Sequence, residues 1–509
     1  MVDDRKSTGH RAVAFNVAWN WAGMLVQMAA GFVVAPYLVH HLGEATYAIW
    51  ILIGSLAGYF GLLDLGVRGA VGRNMAFRRA QGDAEGMNAI LYTALTILCI
   101  CAFAIVLTTC AASMLFFILF DVPPEYVAST RGALFIIGMN LAIVFPGSVF
   151  DAALWSQQRF DLINLTEIPA AIARTVLSVY VVAAGHDLMA LALVTFSVTL
   201  VSVSVKCALV VQRGGFSRFR RRFLTWDATR CLYGYGIWHF LLSSIRVLLP
   251  QVGSLVIGSQ LAIRLVTPYS IALRLVGYVT SMVIAATGVL TPVTTAMHAR
   301  ANEARLRQVF LQGGLCCCSF ALFSLSGLAI MAGPLITLWM GADFDTVAAR
   351  VLLVAAAGEA LPMSQWVTHS IVLGMGRHRF WACTSVIELL LSVVFSLSLA
   401  SPFGLVGIAV AFALPAAIFR GLLQLRYGCQ LLHCPLGMYW REATLPALLG
   451  TLPAIAGLTV LMHLRPAGTW PEICIYSALY VGIFLATCAV VPGFADLRAR
   501  GIGLLKAAG

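Results

Sequence analysis

Residues Cys231 to Pro292 read CLYGYGIWHFLLSSIRVLLPQVGSLVIGSQLAIRLVTPYSIALRLVGYVTSMVIAATGVLTP, two apolar arms with an arginine inside each. A charge at the centre of a membrane helix costs roughly 2.5 to 3.5 kcal/mol on insertion scales, so each arginine asks for a reason. In the first arm His239, Ser243, Arg246, Pro250 and Gly253 recur at steps of three and four, which puts them on one helix face. In the second, Thr267, Ser270, Arg274, Gly277, Ser281 and Gly288 do the same, with Tyr278 beside them. Leu, Val and Ile fill the rest of both helices. A polar stripe around an arginine on an otherwise apolar helix reads as the wall of a cationic, water-filled cavity inside a membrane.

Composition gives the class. The chain has 509 residues, 60% hydrophobic and 11% charged, where soluble domains carry about 25% charged residues. Runs of about 20 apolar residues, each able to cross a hydrocarbon core of about 30 Å, recur from near Ala12 to near Pro492. About fourteen spans are expected, so the fold class is all-α and polytopic. The polar first eleven residues and the absence of a small-residue cleavage site predict no removable signal. The thirteen cysteines fall within or beside spans and read as small packing residues. No His/Cys cluster has metal spacing, no P-loop is present, and no cofactor is implied.

The net charge of +12 is a topology signal rather than a nucleic-acid signal. With the N-terminus inside, cytoplasmic connections hold 23 Lys and Arg and outer ones four, namely Arg131, Arg264, Arg350 and Arg465. The positive-inside rule then sets both termini in the cytoplasm. The block Arg218 to Arg222, interleaved with Phe219 and Phe223, reads as a basic linker against anionic lipid. Six basic residues remain inside spans. Arg68, Lys206 and Arg420 lie near cytoplasmic helix ends and are expected to snorkel to water. Arg174, Arg246 and Arg274 lie deeper and are the candidate substrate-binding cations.

The first span offers Asn16, Asn20, Gly23, Gln27 and Gly31 on one face and no carboxylate. It is followed, from Leu42, by LGEATYAIWILIGSLAGYFGLLDLGVRGAVGRNMAFRRAQGD. Here Leu42-Gly43, Tyr47, Trp50, the run LLDLG from Leu62 to Gly66 and the basic loop ending at Gly82-Asp83 resemble the polysaccharide translocases, the Wzx-type flippases of the multidrug/oligosaccharidyl-lipid/polysaccharide exporter superfamily. The resemblance extends over the chain through span number and spacing. It implies a flippase that moves a polyprenyl-pyrophosphate-linked oligosaccharide across the bacterial inner membrane by alternating access, with H+ or Na+ as coupling ion and a polysaccharide polymerase as partner. Arginine suits the pyrophosphate because its planar donors are permanently charged.

An internal repeat supports two six-helix lobes. Tyr47-x-Ile49 is echoed by Tyr269-x-Ile271, and Arg159-Phe160 with Glu167 by Arg379-Phe380 with Glu388. The expected organisation is a lobe over 1–212, a basic linker over 213–230, a second lobe over 231–428, and two appended helices with a tail over 429–509. Four acids lie in or near spans: Asp64, Glu167, Glu359 and Glu388. They either hold cations in place or couple transport to an ion. Glu167 and Arg174 share a helix face two turns apart. Prolines Pro146, Pro250, Pro292, Pro362 and Pro415 inside spans read as kinks.

Three rivals are weighed. A cation-coupled drug exporter of the superfamily is expected to show a carboxylate in span 1 or span 7, and neither is there. A peptidoglycan-precursor flippase is expected to bring charged residues to the cavity from span 1, which here offers only Asn16, Asn20 and Gln27. A membrane enzyme acting on lipid-linked glycans needs a large outer loop with acid and base groups, and the outer connections are short.

Overall fold

The computed structural model describes residues 10–64, 66–157, 159–212, 221–233, 237–288, 290–299, 302–377 and 379–495. Every regular element among them is helical. In chain order these are α1 (His10–Leu42), α2 (Glu44–Phe60), α3 (Val67–Ala80), α4 (Ala84–Leu119), α5 (Val127–Ser156), α6 (Phe160–Ala183), α7 (Leu188–Gln212), α8 (Trp226–Tyr233), α9 (Ile237–Gln260) and α10 (Val266–Gly288). There follow α11 (Leu290–Ala299), α12 (Glu303–Ile330), α13 (Ala332–Met340), α14 (Asp345–Ser364), α15 (Trp366–Gly374), α16 (Arg379–Ala416), α17 (Gln424–Leu431), α18 (Leu436–Tyr439), α19 (Leu445–Leu464) and α20 (Trp470–Val490). A membrane interior offers no water to the backbone, and a helix satisfies its polar groups internally.

Twelve helical stretches among the described residues are long and apolar enough to cross a membrane. One of them, Arg379–Leu431, has 53 residues, about 80 Å of helix against a core of about 30 Å. Gly404, at φ 57° and ψ −139°, breaks it inside α16, a backbone conformation that only glycine adopts without strain. The expected spans near residues 390 and 413 are its two arms. The span expected near 245 is α9, a 24-residue helix outside the twelve.

The chain forms two compact units, Met1–Thr267 and Pro268–Gly509. The core of the first gathers Val67, Val71 and Met75 from α3, Ile90, Leu98 and Ile105 from α4, and Phe145 and Val149 from α5. The LLDLG run is where α2 stops: Gly61–Asp64 form a 3-10 turn and Gly66 takes φ 82° before α3 begins. The stretch Arg222–Tyr233 belongs to this unit. Phe223 is buried against Tyr92, Thr93 Oγ1 donates to the Phe223 carbonyl at 3.1 Å, and Asn74 Nδ2 donates to the Cys231 carbonyl at 3.4 Å.

In the second unit the appended helices are docked on α12 by two tyrosines. Tyr439 OH lies 3.8 Å from Cys318 Sγ and accepts from Gln365 Nε2 at 3.3 Å. Tyr480 OH is 2.8 Å from Ser326 Oγ and donates to the Phe323 carbonyl at 2.8 Å. Both rings sit against glycines. A methyl on Gly314 would meet Tyr439 OH at 2.7 Å, and one on Gly327 would meet the Tyr480 ring at 2.8 Å. Small residues at helix crossings are how helices associate where lipid removes the hydrophobic drive. All thirteen cysteines are free thiols.

Two of the five prolines stand beside departures from regular helix. Pro362 precedes the junction between α14 and α15 at Gln365. Pro415, which has no N–H for the carbonyl of Ala411, precedes a π-helical segment, Ala417–Leu423. Pro146 and Pro250 lie inside the continuous helices α5 and α9.

Candidate functional site

Among the described residues, each unit holds a cluster of two carboxylates around one cation, built from three helical segments. In the first unit the helices are α5, α6 and α7. α5 and α7 approach closely because position 147 is glycine: a methyl there would meet Val203 Cγ2 at 2.7 Å. One turn on from Gly147 is Asp151, and three residues on from Val203 is Lys206. The Lys206 ammonium lies 2.7 Å from Asp151 Oδ1 and donates to Glu167 Oε1, which also accepts from Ser202 Oγ at 3.4 Å. The lysine side chain is 5% exposed, whereas Asp151 and Glu167 are 40% and 37% exposed.

In the second unit the helices are α14, α16 and the π segment that continues α16. Gly358 makes the crossing, since a methyl there would lie 2.3 Å from Ala413 Cβ. The next residue is Glu359. Arg420, inside the π segment, donates Nη2 to Glu359 Oε1 at 2.7 Å and Nη1 to Oε2 at 3.3 Å. Its Nε donates to Glu388 Oε1 at 2.7 Å. Glu388 is 1% exposed and Arg420 26%. Taking a carboxylate fully out of water costs several kcal/mol, which only a well-formed ion pair with further hydrogen bonds offsets. The bidentate fork on Glu359 and the third bond to Glu388 supply that geometry. A π segment is rare in helices and recurs at functional sites.

These clusters correct one expectation. Lys206 and Arg420 do not snorkel to water; they turn inward to buried or half-buried acids. Glu167, expected to pair through water or with another helix, pairs with Lys206 of α7. Arg68 is also turned into the bundle, donating Nη2 to the Gly61 carbonyl at 3.2 Å with its guanidinium 4.6 Å from the centre of the Phe145 ring. Asp151 was not among the expected site residues. Its signal was an acid four residues past a span glycine, near the end of a helix whose neighbour carries Lys206.

The arginines expected to bind substrate are placed as follows. Arg174 on α6 and Arg246 on α9 are exposed, and Arg274 on α10 is half-buried between Ser270 and Tyr278, themselves half-buried. Arg174 and Arg246 belong to the first unit and Arg274 to the second. Gln27 on α1 is exposed. Gly23, one turn before it, faces the Asn164 side chain of α6. The side chains of Asn16, Asn20, Asp64, His239 and Ser243 lie outside the described residues.

Known proteins agree with this architecture. The chain is 21% identical over 496 residues to the uncharacterized membrane protein EpsK of Bacillus subtilis (strain 168), covering 94% of each chain. Among solved structures it is similar to the lipid II flippase MurJ in an inward closed conformation, with a TM-score of 0.75 at 12% identity over 95% of this chain and 99% of that one. It is also similar to an inward-facing multidrug-resistance MATE family transporter of the MOP superfamily, with a TM-score of 0.64 at 16% identity over 81% and 94% of the two chains. At these identities the likeness establishes the fold. The polysaccharide biosynthesis protein family matches residues 13–298, more than half of the chain. The protein is therefore a multi-pass membrane protein of the polysaccharide biosynthesis protein family, built on the fold of the MOP-superfamily transporters.

Proposed function

We propose that this protein is a flippase that carries a polyprenyl-pyrophosphate-linked oligosaccharide from the cytoplasmic to the outer face of the bacterial inner membrane by alternating access. Its repeats are the helices of 1–212 and 231–428, and both termini are cytoplasmic. The observation that carries the reading is the exposure of Arg174 on α6 and Arg246 on α9, each within a predominantly apolar helix long enough to cross a membrane. A guanidinium at membrane depth is costly, and water or an anion beside it lowers that cost. With Arg274, these side chains offer the planar, permanently charged donors that a pyrophosphate takes up. The barrier to moving such a lipid is its polar head, so the protein need only hydrate that head and balance its charge while the tail stays in lipid. Family membership in polysaccharide biosynthesis supports an oligosaccharide cargo.

A second reading is favoured by the fold: the likeness to a lipid II flippase over 95% of the chain makes a peptidoglycan precursor the alternative cargo, with the same diphosphate chemistry. The test has two arms. In a deletion strain, the lipid-linked intermediate that accumulates on the cytoplasmic face identifies the cargo; an oligosaccharide intermediate is expected, and a peptidoglycan precursor would replace this reading with the second. Export is then complemented with Ala, Lys and Gln variants of Arg246 and Arg274, with membrane abundance measured alongside. Each charge-assisted contact is worth about 1.5–3 kcal/mol, so Ala and Gln are expected to weaken engagement roughly ten- to a hundredfold, and Lys to rescue in part. Full export by the Ala variants at normal abundance would overturn the cationic site.

A further inference from the structure

The turn that ends α17 sets two cysteines side by side. The helix is capped at Leu432, His433 takes φ 49°, and Pro435 opens the short helix α18. Two main-chain bonds close the turn: the Cys434 N–H donates to the Cys429 carbonyl at 2.9 Å, and the His433 N–H to the Gln430 carbonyl at 3.3 Å. This is the Schellman closure of a helix, in which the residues at the two ends of the outer bond bring their side chains together, ordinarily as an apolar contact. Here those residues are Cys429 and Cys434, each 4% exposed, and their thiols interact side chain to side chain. By bond lengths, two Cα atoms joined through one such bond lie at most about 6.8 Å apart, and a disulfide spans about 4.4–6.8 Å. The backbone already holds the pair in bridging range.

We propose that Cys429 and Cys434 are a reversible dithiol–disulfide site, closed by a hydroperoxide and reopened by a thiol reductant. A Schellman contact needs only bulk, which leucine or valine supplies; a pair of thiols adds a chemistry that the contact does not use. A second observation points the same way. Among the described residues, His433 is the one residue other than glycine with a positive φ. Glycine is the usual residue at that place, because a side chain there crowds the backbone, and strain of this kind persists only where the surrounding structure over-determines it. The turn is thus held in a conformation that keeps the two thiols in register. On the topology proposed above it faces the cytoplasm, where thiols are kept reduced and a disulfide is transient or redox-sensing. The dithiol is then the resting form, as the free thiols of the structure have it. Gln430, His433 and Pro435 beside the pair are exposed, which leaves a small neutral oxidant a short path to the sulfurs.

The chemistry balances on one hydroperoxide per pair. One thiol loses its proton to solvent and its sulfur attacks a peroxide oxygen; an S–O bond forms, the O–O bond breaks, and the departing hydroxide takes a proton to become water. The second thiol, deprotonated in turn, attacks the sulfenic sulfur; the S–S bond forms, the S–O bond breaks, and a second water leaves. Two thiols are oxidised to the disulfide and the peroxide is reduced. Closure ties the end of α17 to the residue before Pro435, and Tyr439, which docks on α12, follows four residues after that proline. The bridge therefore fixes the connection through which the appended helices leave the second lobe. The inference stands whichever lipid the protein carries.

The test uses the full-length protein in lipid nanodiscs, reduced and with no cargo added. It is treated with hydrogen peroxide, then unfolded, alkylated, digested with trypsin and mapped by mass spectrometry. Both cysteines fall in one tryptic peptide, residues 427–441. In the wild type this peptide is expected two hydrogens lighter and unalkylated, and dithiothreitol should restore alkylation at both positions. The loss of two hydrogens should vanish in Cys429→Ala and in Cys434→Ala. Where a variant does not accumulate, the fragment spectrum of the wild-type peptide decides, because a bridged peptide yields no backbone fragments between residues 429 and 434 until it is reduced. Full alkylation of both thiols after peroxide, oxidation of either one singly to the sulfinic acid, a bridge from either to a cysteine outside the peptide, or a loss of two hydrogens that persists in a variant overturns the site.

Discussion

The cluster in the first unit and the cluster in the second are made of the same parts in opposite arrangement. Around Lys206 the cation is hidden and the acids are reachable; around Arg420 one acid is hidden and the cation is partly reachable. A lysine is a compact donor that can give up its proton, and an arginine is a fixed fork that cannot. The lysine cluster leaves its two acids more than one-third exposed. The arginine cluster, on a π segment, leaves Glu388 only 1% exposed. A repeat in sequence need not be a repeat in role.

Five substitutions would break or sharpen this contrast. The largest effect is expected from Arg420→Ala, which strands Glu388 with no counter-charge. Removing one partner of a buried pair costs about 3–5 kcal/mol, and the folded fraction in detergent-solubilised membranes, read by fluorescence-detected gel filtration, should collapse. Near-normal abundance would show that the second cluster is not a brace. Next is Gly358→Ala, whose methyl meets Ala413 Cβ at 2.3 Å; overpacking of this kind costs about 1–3 kcal/mol, visible as a lower melting temperature of the purified protein. The matching Gly147→Ala meets the two γ-methyls of Val203, at 2.7 and 2.9 Å, rather than backbone and should cost less. Lys206→Met should cost about 1–2 kcal/mol, at the low end for a stranded charged partner because both acids are more than one-third exposed. Equal destabilisation by Lys206→Met and Arg420→Ala would erase the contrast. The smallest effect is expected from Lys206→Arg, under about 1 kcal/mol in thermal unfolding, since the charge between the two acids is kept.

The fold was legible in the sequence because a membrane helix needs little more than twenty apolar residues, and each expected span coincides with a helix. Glu388 was legible too: an acid among Leu, Ile and Val with serines a turn away can only be a buried, partnered group. Its partner was not. Arg420 follows Pro415 and lies within Ala417–Leu423, where five-residue hydrogen bonding shifts the helix phase by one residue, so a wheel drawn at the ordinary period points it elsewhere. Lys206 was misread for a different reason. Six residues from a helix end, a lysine has the reach to snorkel, and only the close crossing at Gly147 and Val203 shows that an acid is nearer than water. Asp151 shares that reason, since its meaning depends on a neighbour that sequence spacing does not give.

The tyrosines that fasten the last helices to α12 bear on how the chain is made. Ser326 waits 154 residues for Tyr480, and Cys318 waits 121 for Tyr439. Until those rings arrive, the notches at Gly314 and Gly327 face lipid unfilled, and the second unit is an unfinished surface in the bilayer during synthesis. A chain stopped before residue 439 would hold most of its spans and both charge clusters, and would still present an open seam to membrane proteases. The two tyrosines thus close α12 only after the helices that carry them have been made.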